Sequence, residues 1–180
     1  MGSKHNIMPT KIELKSIHVN LRMSEETYCF DAKLYYNGKH IANCYNHGHG
    51  AATSINPVYN QNPRLNDANR AMVKEAEAFC KTLPPVDGYD MDLEYFVDNA
   101  IHMFCKNKED QRMAKKLQTC MQKGIVYGTP DNFTTVSWKG HSVMSLLASK
   151  QGRDAIAKKI QQLKDNGEKV LNTNLPQELL

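Results

Sequence analysis

The sequence contains no run of about 18 apolar residues, the length that marks a membrane-spanning helix. Its first ten residues, MGSKHNIMPT, lack the apolar stretch of a secretory signal. Asn6 stands where an N-myristoylation motif needs Ser or Thr. There is no C-x-x-C pair, and the five cysteines, Cys29, Cys44, Cys80, Cys105 and Cys120, are odd in number. They read as reduced, mostly buried thiols of a cytoplasmic protein rather than a disulfide framework. No internal repeat or low-complexity tract occurs. G-x-S-x-G, H-E-x-x-H and the protein-kinase set are all missing, which leans the reading away from an enzyme.

What remains is ordinary globular composition. Of 180 residues, 41% are hydrophobic and 23% charged. A chain of this length buries roughly 70% of its unfolded surface and needs no covalent staple. The net charge of +4 and pI of about 8.7 permit nucleic-acid contact without requiring it. Residues 1–10 read as a disordered N-terminus or a tag remnant, with Met8 an alternative start. Residues 11–172 read as a single α+β domain, and 173–180 as a tail.

The clearest local signal lies in Ser24–Gly50, SEETYCFDAKLYYNGKHIANCYNHGHG. Asn37-Gly38 suits a two-residue type I′ turn, whose central residues both need positive φ. Counting outward from that turn pairs Tyr36 with Lys39, Leu34 with Ile41 and Phe30 with Tyr45. Phe30, Ala32, Leu34 and Tyr36 then share an apolar face with Ile41 and Tyr45. Tyr35, His40, Ala42 and Cys44 fall on the other face. Upstream, 11–22 reads as a strand whose apolar parity flips near Lys15-Ser16, the mark of a bulge. The three strands form a meander.

A long loop, 46–62, follows. Asn62-Pro63 reads as an N-cap and first helical residue, with a stripe of Leu65, Ala68, Met72, Val73, Ala76, Phe79, Cys80 and Leu83 running to Pro84-Pro85. A second helix begins at Asp90, and a third spans about 109–123. A second hairpin occupies 125–138. A helical region follows over about 142–166, interrupted at Gly152 and stopped at Gly167. The tail from Val170 adds a short strand and frays. Strands, helices, strands and helix in that order make an α+β fold, antiparallel meander and hairpins packed on three to four helices.

Three groups of residues could carry chemistry. Cys44, His47 and His49 form C-x2-H-x-H, thiolate and imidazole donors that suit Zn²⁺ and would make a metal-dependent enzyme, though no fourth ligand is adjacent. The alternative is a glycine turn with exposed histidines and no cofactor. Gly48 and Gly50 could turn backbone N–H groups toward a small phosphorylated ligand, or simply allow a bend. Lys106, Lys108, Arg112, Lys115, Lys116 and Lys123 could follow a phosphate backbone, or form a solvated helix face. The candidate binding residues are therefore Tyr35, His40, His47, Gly48, His49 and Gly50 with Arg112, Lys115 and Lys116.

One stretch also resembles a known group. Ile17, Val19, Asn20, Arg22, Ser24-Glu25-Glu26-Thr27, Cys29-Phe30, Ala32, Leu34-Tyr35, Asn37-Gly38-Lys39 and then Asn46, Gly48 and Gly50 resemble small accessory proteins of phages and mobile elements. Some of that group are of the anti-CRISPR type, inhibitors of Cas9. The Lys115-Lys116 pair followed by a hairpin, a helix and a terminal strand is similar in outline. The resemblance implies a non-enzymatic protein, in the bacterial host cytoplasm, that binds and inhibits a host defence nuclease or its nucleic-acid complex. Its partner would be a host protein or protein–nucleic-acid complex, with no membrane. It implies no catalytic residue. Because this chain is basic, it is a poor DNA mimic, and direct nucleic-acid binding through 106–123 is the competing expectation.

Overall fold

The computed structural model describes residues 11–180; the expectation for residues 1–10 lies outside them. The described residues form an α+β fold of antiparallel sheets and four α-helices. It divides into two compact units, one running to Lys106 and the other from Asn107 to Leu180.

The N-terminal unit is built on a four-stranded antiparallel sheet in the order β1-β2-β3-β4: β1 Ile12–Val19, β2 Cys29–Tyr36, β3 Lys39–His47 and β4 Ser54–Pro57. The expected flip in β1 is present. Ser16 has φ +51°, and the pairing with β2 shifts between Lys15 and His18. The Asn37-Gly38 turn has φ of +49° and +78°, as a type I′ turn requires.

The hairpin register differs from the simple count. Tyr36 pairs with Lys39 and Tyr35 with His40, but then Leu34 pairs with Ala42 and Phe30 with Asn46. Ile41 is the extra residue of a β-bulge. A bulge lets two neighbouring side chains turn the same way, and Ile41 and Ala42 are both fully buried. Beyond it, strand parity is reversed. Cys44 and Asn46 point into the core, while Tyr45 and His47 turn outward. The loop expected over 46–62 contains β4, a fourth strand. Pro57 is tolerated there because an edge strand can spare an N–H.

Helix α1, Pro63–Cys80, starts as expected: the Asn62 side chain accepts from the Arg64 N–H at 3.1 Å, and Pro63 fills the first turn. It ends at Cys80, four residues before the proline pair. Its first inward positions are Asn66 and Asn69, not Leu65 and Ala68. The amides win because they satisfy the chain leading into the helix. Asn66 accepts from the Asn60 N–H at 2.6 Å and donates to its carbonyl at 2.8 Å. Asn69 donates to the Val58 carbonyl at 2.8 Å.

Helix α2 runs unbroken from Leu93 to Lys123, where two helices were expected. Those 31 residues contain neither Gly nor Pro, so nothing in the sequence interrupts the hydrogen-bond ladder. Asp92 caps it, accepting from the Tyr95 N–H at 2.7 Å. Phe30, Leu34 and Ile41 from the sheet, Ala76 and Cys80 from α1, and Val97 and Ile101 from α2 form one core.

The C-terminal unit contains the hairpin β5 Gly124–Gly128 and β6 Phe133–Ser137, then α3 Val143–Leu147 and α4 Lys150–Asp165. The helical region breaks at Ala148-Ser149. Gly152 sits inside the first turn of α4, where any Cβ would collide with the Leu146 carbonyl. That glycine permits close packing of α3 on α4 rather than interrupting a helix. Gly167, φ +76°, ends α4 as expected. The tail is packed rather than frayed. Val170 bridges to Tyr127, the Leu171 N–H donates to the Val126 carbonyl at 2.8 Å, and Leu175 joins Ile125, Val143, Ile156 and Ile160 in a second core. Among the described residues no helix is long and apolar enough to cross a membrane.

Candidate functional site

The Gly/His loop is organised by Asn46, a buried amide delivered to the inner face of β3 by the Ile41 bulge. Its Oδ1 accepts from the Thr27 hydroxyl at 2.9 Å and from the Gly48 N–H at 2.8 Å. Its Nδ2 donates to the Ala51 carbonyl at 2.7 Å and to the Thr53 hydroxyl at 3.3 Å. One side chain thus ties the 24–27 turn to both ends of the glycine loop. The Gly48 carbonyl in turn accepts from the N–H groups of Glu25, Glu26 and Thr27 at 3.0–3.4 Å. Gly48 has φ +90°, and a Cβ there would strike the Met23 carbonyl oxygen. Glycine is needed for both reasons.

The two N–H groups that could have faced a phosphate are thereby engaged. Gly48 donates to Asn46, and Gly50 donates to the Thr27 hydroxyl at 3.3 Å. The candidate metal donors are spread apart. Cys44 is in the core, where burial first and the charge of Asp98 second push its thiol up to about 12. His47 projects from the opposite face of β3. His49 lies in the loop and contacts Glu25 at 3.1 Å. Among the described residues no group of three or more His, Cys, Asp or Glu stands together as a metal cradle.

Tyr35 and His40 are brought together. They are cross-strand partners on the outer sheet face, their rings stacked at 5.3 Å and 20°, with Lys15 4.6 Å above the tyrosine. Tyr45 and His47 lie on the same outer face, at 5.3 Å. Arg112, Lys115 and Lys116 belong to the other unit, on α2. Because that helix is continuous, Lys108, Arg112, Lys115, Lys116 and Lys123 fall within an arc of about 100° at 3.6 residues per turn. All five are exposed. Lys106 lies off the stripe. Arg112 pairs with Glu109 at 2.8 Å, and the Lys116 ammonium sits 5.5 Å from the Phe133 ring centre. From Asn107 to Leu180 there are twelve Lys and Arg against seven Asp and Glu; up to Lys106 there are eleven against twelve. The positive charge of the chain therefore resides in the C-terminal unit.

A further feature was not anticipated from the sequence. The N-terminal unit contains a cavity of about 360 Å³ bounded by Thr27, Tyr28, Phe30, Asn46, Asp87 and, on α2, Tyr95, Asp98, Asn99, Ile101 and His102. Asp98 is half-buried on its wall and accepts from the Thr53 hydroxyl at 2.6 Å. Burial, reinforced by the neighbouring charges of Glu94 and Asp92, raises its pKa above the usual carboxylate value, and the Thr53 hydrogen bond opposes the rise. The Thr53 N–H binds Glu94 at 2.9 Å, so the end of the glycine loop is fastened to α2 through two carboxylates. A signal for this site was in the sequence: residues 82–105 contain five Asp and Glu and no Lys or Arg. Asp90 and Asp92 fit the start of a helix, which leaves Asp98 without a local role in the sequence.

Compared with protein-family models, with curated proteins and with solved structures, the chain matches none of them.

Proposed function

We propose that this chain is a non-enzymatic binding protein of the phage or mobile-element accessory type, whose target is a nucleic-acid-bearing complex such as a host defence nuclease on its substrate. The basic stripe of α2 is the part that meets phosphate. The observation that supports this is the gathering of five exposed cations on one face of an unbroken helix, within a unit of net charge +5. From Lys108 to Lys123 the stripe extends about 22 Å at 1.5 Å per residue, enough to lie along several phosphates of one strand. The resemblance of Ile17–Gly50 supplies the inhibitor half of the reading. A basic protein inhibits such a complex by holding or covering its nucleic acid, not by imitating it.

The test is fluorescence anisotropy of a labelled duplex across a salt series, beside a cleavage assay with an RNA-guided nuclease. Binding should weaken steeply with salt, with a log–log slope of about −3 if three or four phosphates are neutralised. Lys115→Glu with Lys116→Glu should lower affinity at least tenfold, flatten the slope by about 2, and reduce inhibition in parallel. No binding at 50 mM salt would remove the phosphate reading. Binding without any effect on cleavage would remove the inhibitor reading.

A further inference from the structure

We propose that the 360 Å³ cavity of the N-terminal unit is a binding site for a small organic cation, an ammonium or guanidinium group on a short carbon chain.

The lining selects charge first. Two carboxylates, Asp87 and Asp98, border the cavity, and neither Lys nor Arg does. Asp92 and Glu94 add their fields at Asp98. His102 also lines the cavity, its ring 6.2 Å from that of Tyr28, but the two carboxylates disfavour a phosphate or carboxylate ligand, whereas a cation gains Coulomb energy in a partly dehydrated site. The lining selects shape second. Tyr28, Phe30 and Tyr95 place three aromatic rings around the same space, a surface that attracts cations and packs against a carbon chain. The volume falls in the lower part of the roughly 300–1,000 Å³ range of ligand pockets, which suits a small molecule.

The acidic groups are held in position rather than merely present. Asp98 projects from α2, and the Thr53 hydroxyl takes one of its oxygens at 2.6 Å. A carboxylate accepts through two oxygens, and the second serves the ligand. Asp87 occupies the first central position of a tight turn closed by Val86 and Tyr89, whose N–H groups donate to each other's carbonyls at 3.1 and 3.0 Å. Asp87 and Gly88 have φ of +51° and +84°, and the Tyr95 hydroxyl donates to the Val86 carbonyl at 3.4 Å. Asn99 adds a neutral polar group that can accept from an ammonium through its side-chain carbonyl, while the Asn46 carbonyl is already taken by Thr27 and Gly48.

The site belongs to the N-terminal unit and is independent of the phosphate reading of the α2 stripe. The experiment is a titration of the ¹⁵N-labelled full chain with n-butylammonium and with butylguanidinium, followed by amide chemical shifts, with butanoate and n-butanol as controls. Both cations should bind saturably, in the millimolar range or tighter for fragments of this size. The shifts should centre on Thr27, Asp87, Asp98 and Asn99, and neither control should compete. Asp98→Asn should weaken binding about tenfold. Asp87→Asn should weaken it several-fold, and because Asn tolerates positive φ this variant keeps the turn. Lys33→Ala, on the outer sheet face, should leave binding unchanged. Saturation by butanoate or butanol as readily as by the cations would overturn the proposal. So would cation-induced shifts centred elsewhere, unaltered binding in both acid variants, or no saturable shift up to 50 mM.

Discussion

Asn46→Ala is the most informative single change to the fold, because one side chain closes four hydrogen bonds at a buried position. Three of them are 2.7–2.9 Å long and one is 3.3 Å. A net hydrogen bond contributes about 1 kcal/mol, and a buried group left without a partner costs about 1–3 kcal/mol. The Thr27 and Thr53 hydroxyls can rotate toward other acceptors, but the Gly48 N–H and the Ala51 carbonyl are fixed in the backbone. Removing the amide should therefore cost roughly 2–4 kcal/mol, a large part of the 5–15 kcal/mol that holds a typical domain together. At an m-value near 2 kcal/mol/M this is a urea midpoint shift of about 1–2 M. Seven of the eight tyrosines lie in the N-terminal unit and the one tryptophan, Trp138, in the other. Tyrosine near-UV circular dichroism therefore reports mainly the unit that carries the change. Asn43→Ala, three residues away on the opposite, exposed face of β3, is the control and should change stability by less than about 0.5 kcal/mol. Thr27→Val should cost less than Asn46→Ala. The double variant should fall short of the sum, because the two share a bond. If Asn46→Ala moved the tyrosine transition no more than Asn43→Ala does, the loop would not depend on this amide and the reasoning would fail.

Gly48→Ala should destabilise by at least about 2 kcal/mol, since strain at positive φ costs about 1–2 kcal/mol and the Met23 carbonyl must also move. Gly38→Ala, with open space around it, should cost only the strain, so urea melts giving equal losses would refute the steric account. Asp98 has a raised pKa, so in the window between its unfolded and folded values the native state binds more protons than the unfolded chain. Its charge therefore opposes folding above that window, and the opposition fades as pH falls through it. Asp98→Asn should match or exceed the parent in melting temperature at pH 7 and lose that advantage toward pH 4. A variant less stable at pH 7 would contradict the sign. Burial raises Cys44 to about 12 and Cys80 to about 11, so neither thiol should react with an aromatic disulfide reagent at pH 8 before unfolding. Rapid labelling of Cys44 in the native protein would show that the inner face of β3 opens.

The hairpin shows why part of the fold was legible and part was not. Asn37-Gly38 fixes the turn by local φ preference, and a turn is a local object. Registry beyond it depends on whether both strands contribute equal numbers of residues, which is a packing outcome. Ile41 could have paired with Leu34 without violating any local rule. It bulges because burying Ile41 and Ala42 together fills the core beneath α1 and α2. That single extra residue moves Cys44 from the mixed face to the inner one and Asn46 from loop starter to structural hub. It thereby separates Cys44 from His47 and changes the meaning of the whole glycine–histidine stretch. The same limit applies to α1, where Asn66 and Asn69 take inward positions that apolar periodicity assigned to Leu65 and Ala68. A buried amide is recognised only from the backbone groups it serves, and those come from residues 58 to 60.

The two candidate surfaces differ in how sequence encodes them. The α2 stripe is visible as soon as the helix is continuous, because 3.6-residue geometry places Lys108, Arg112, Lys115, Lys116 and Lys123 together without help from any other element. The acidic cavity needs four separate segments to meet: the entry to β2, the end of β3, the Asp87 turn and the first turns of α2. Its residues are spread from Thr27 to His102, and each has a satisfactory local explanation alone. What sequence does record is the charge segregation that both surfaces need. Residues 82–105 carry only acids, while 106–123 carry six Lys and Arg against Glu109 and Asp110. The helix macrodipole favours an acid in the first turn, Glu94, and a base in the last, Lys123, but it reaches only those turns. Alternating signs along one helix would add i,i+4 pairs worth a few tenths of a kcal/mol each, and α2 forgoes most of them. The segregation in α2 is one of bases: all six of its Lys and Arg fall from Lys106 onward, while its four acids, Glu94, Asp98, Glu109 and Asp110, are split between the two halves.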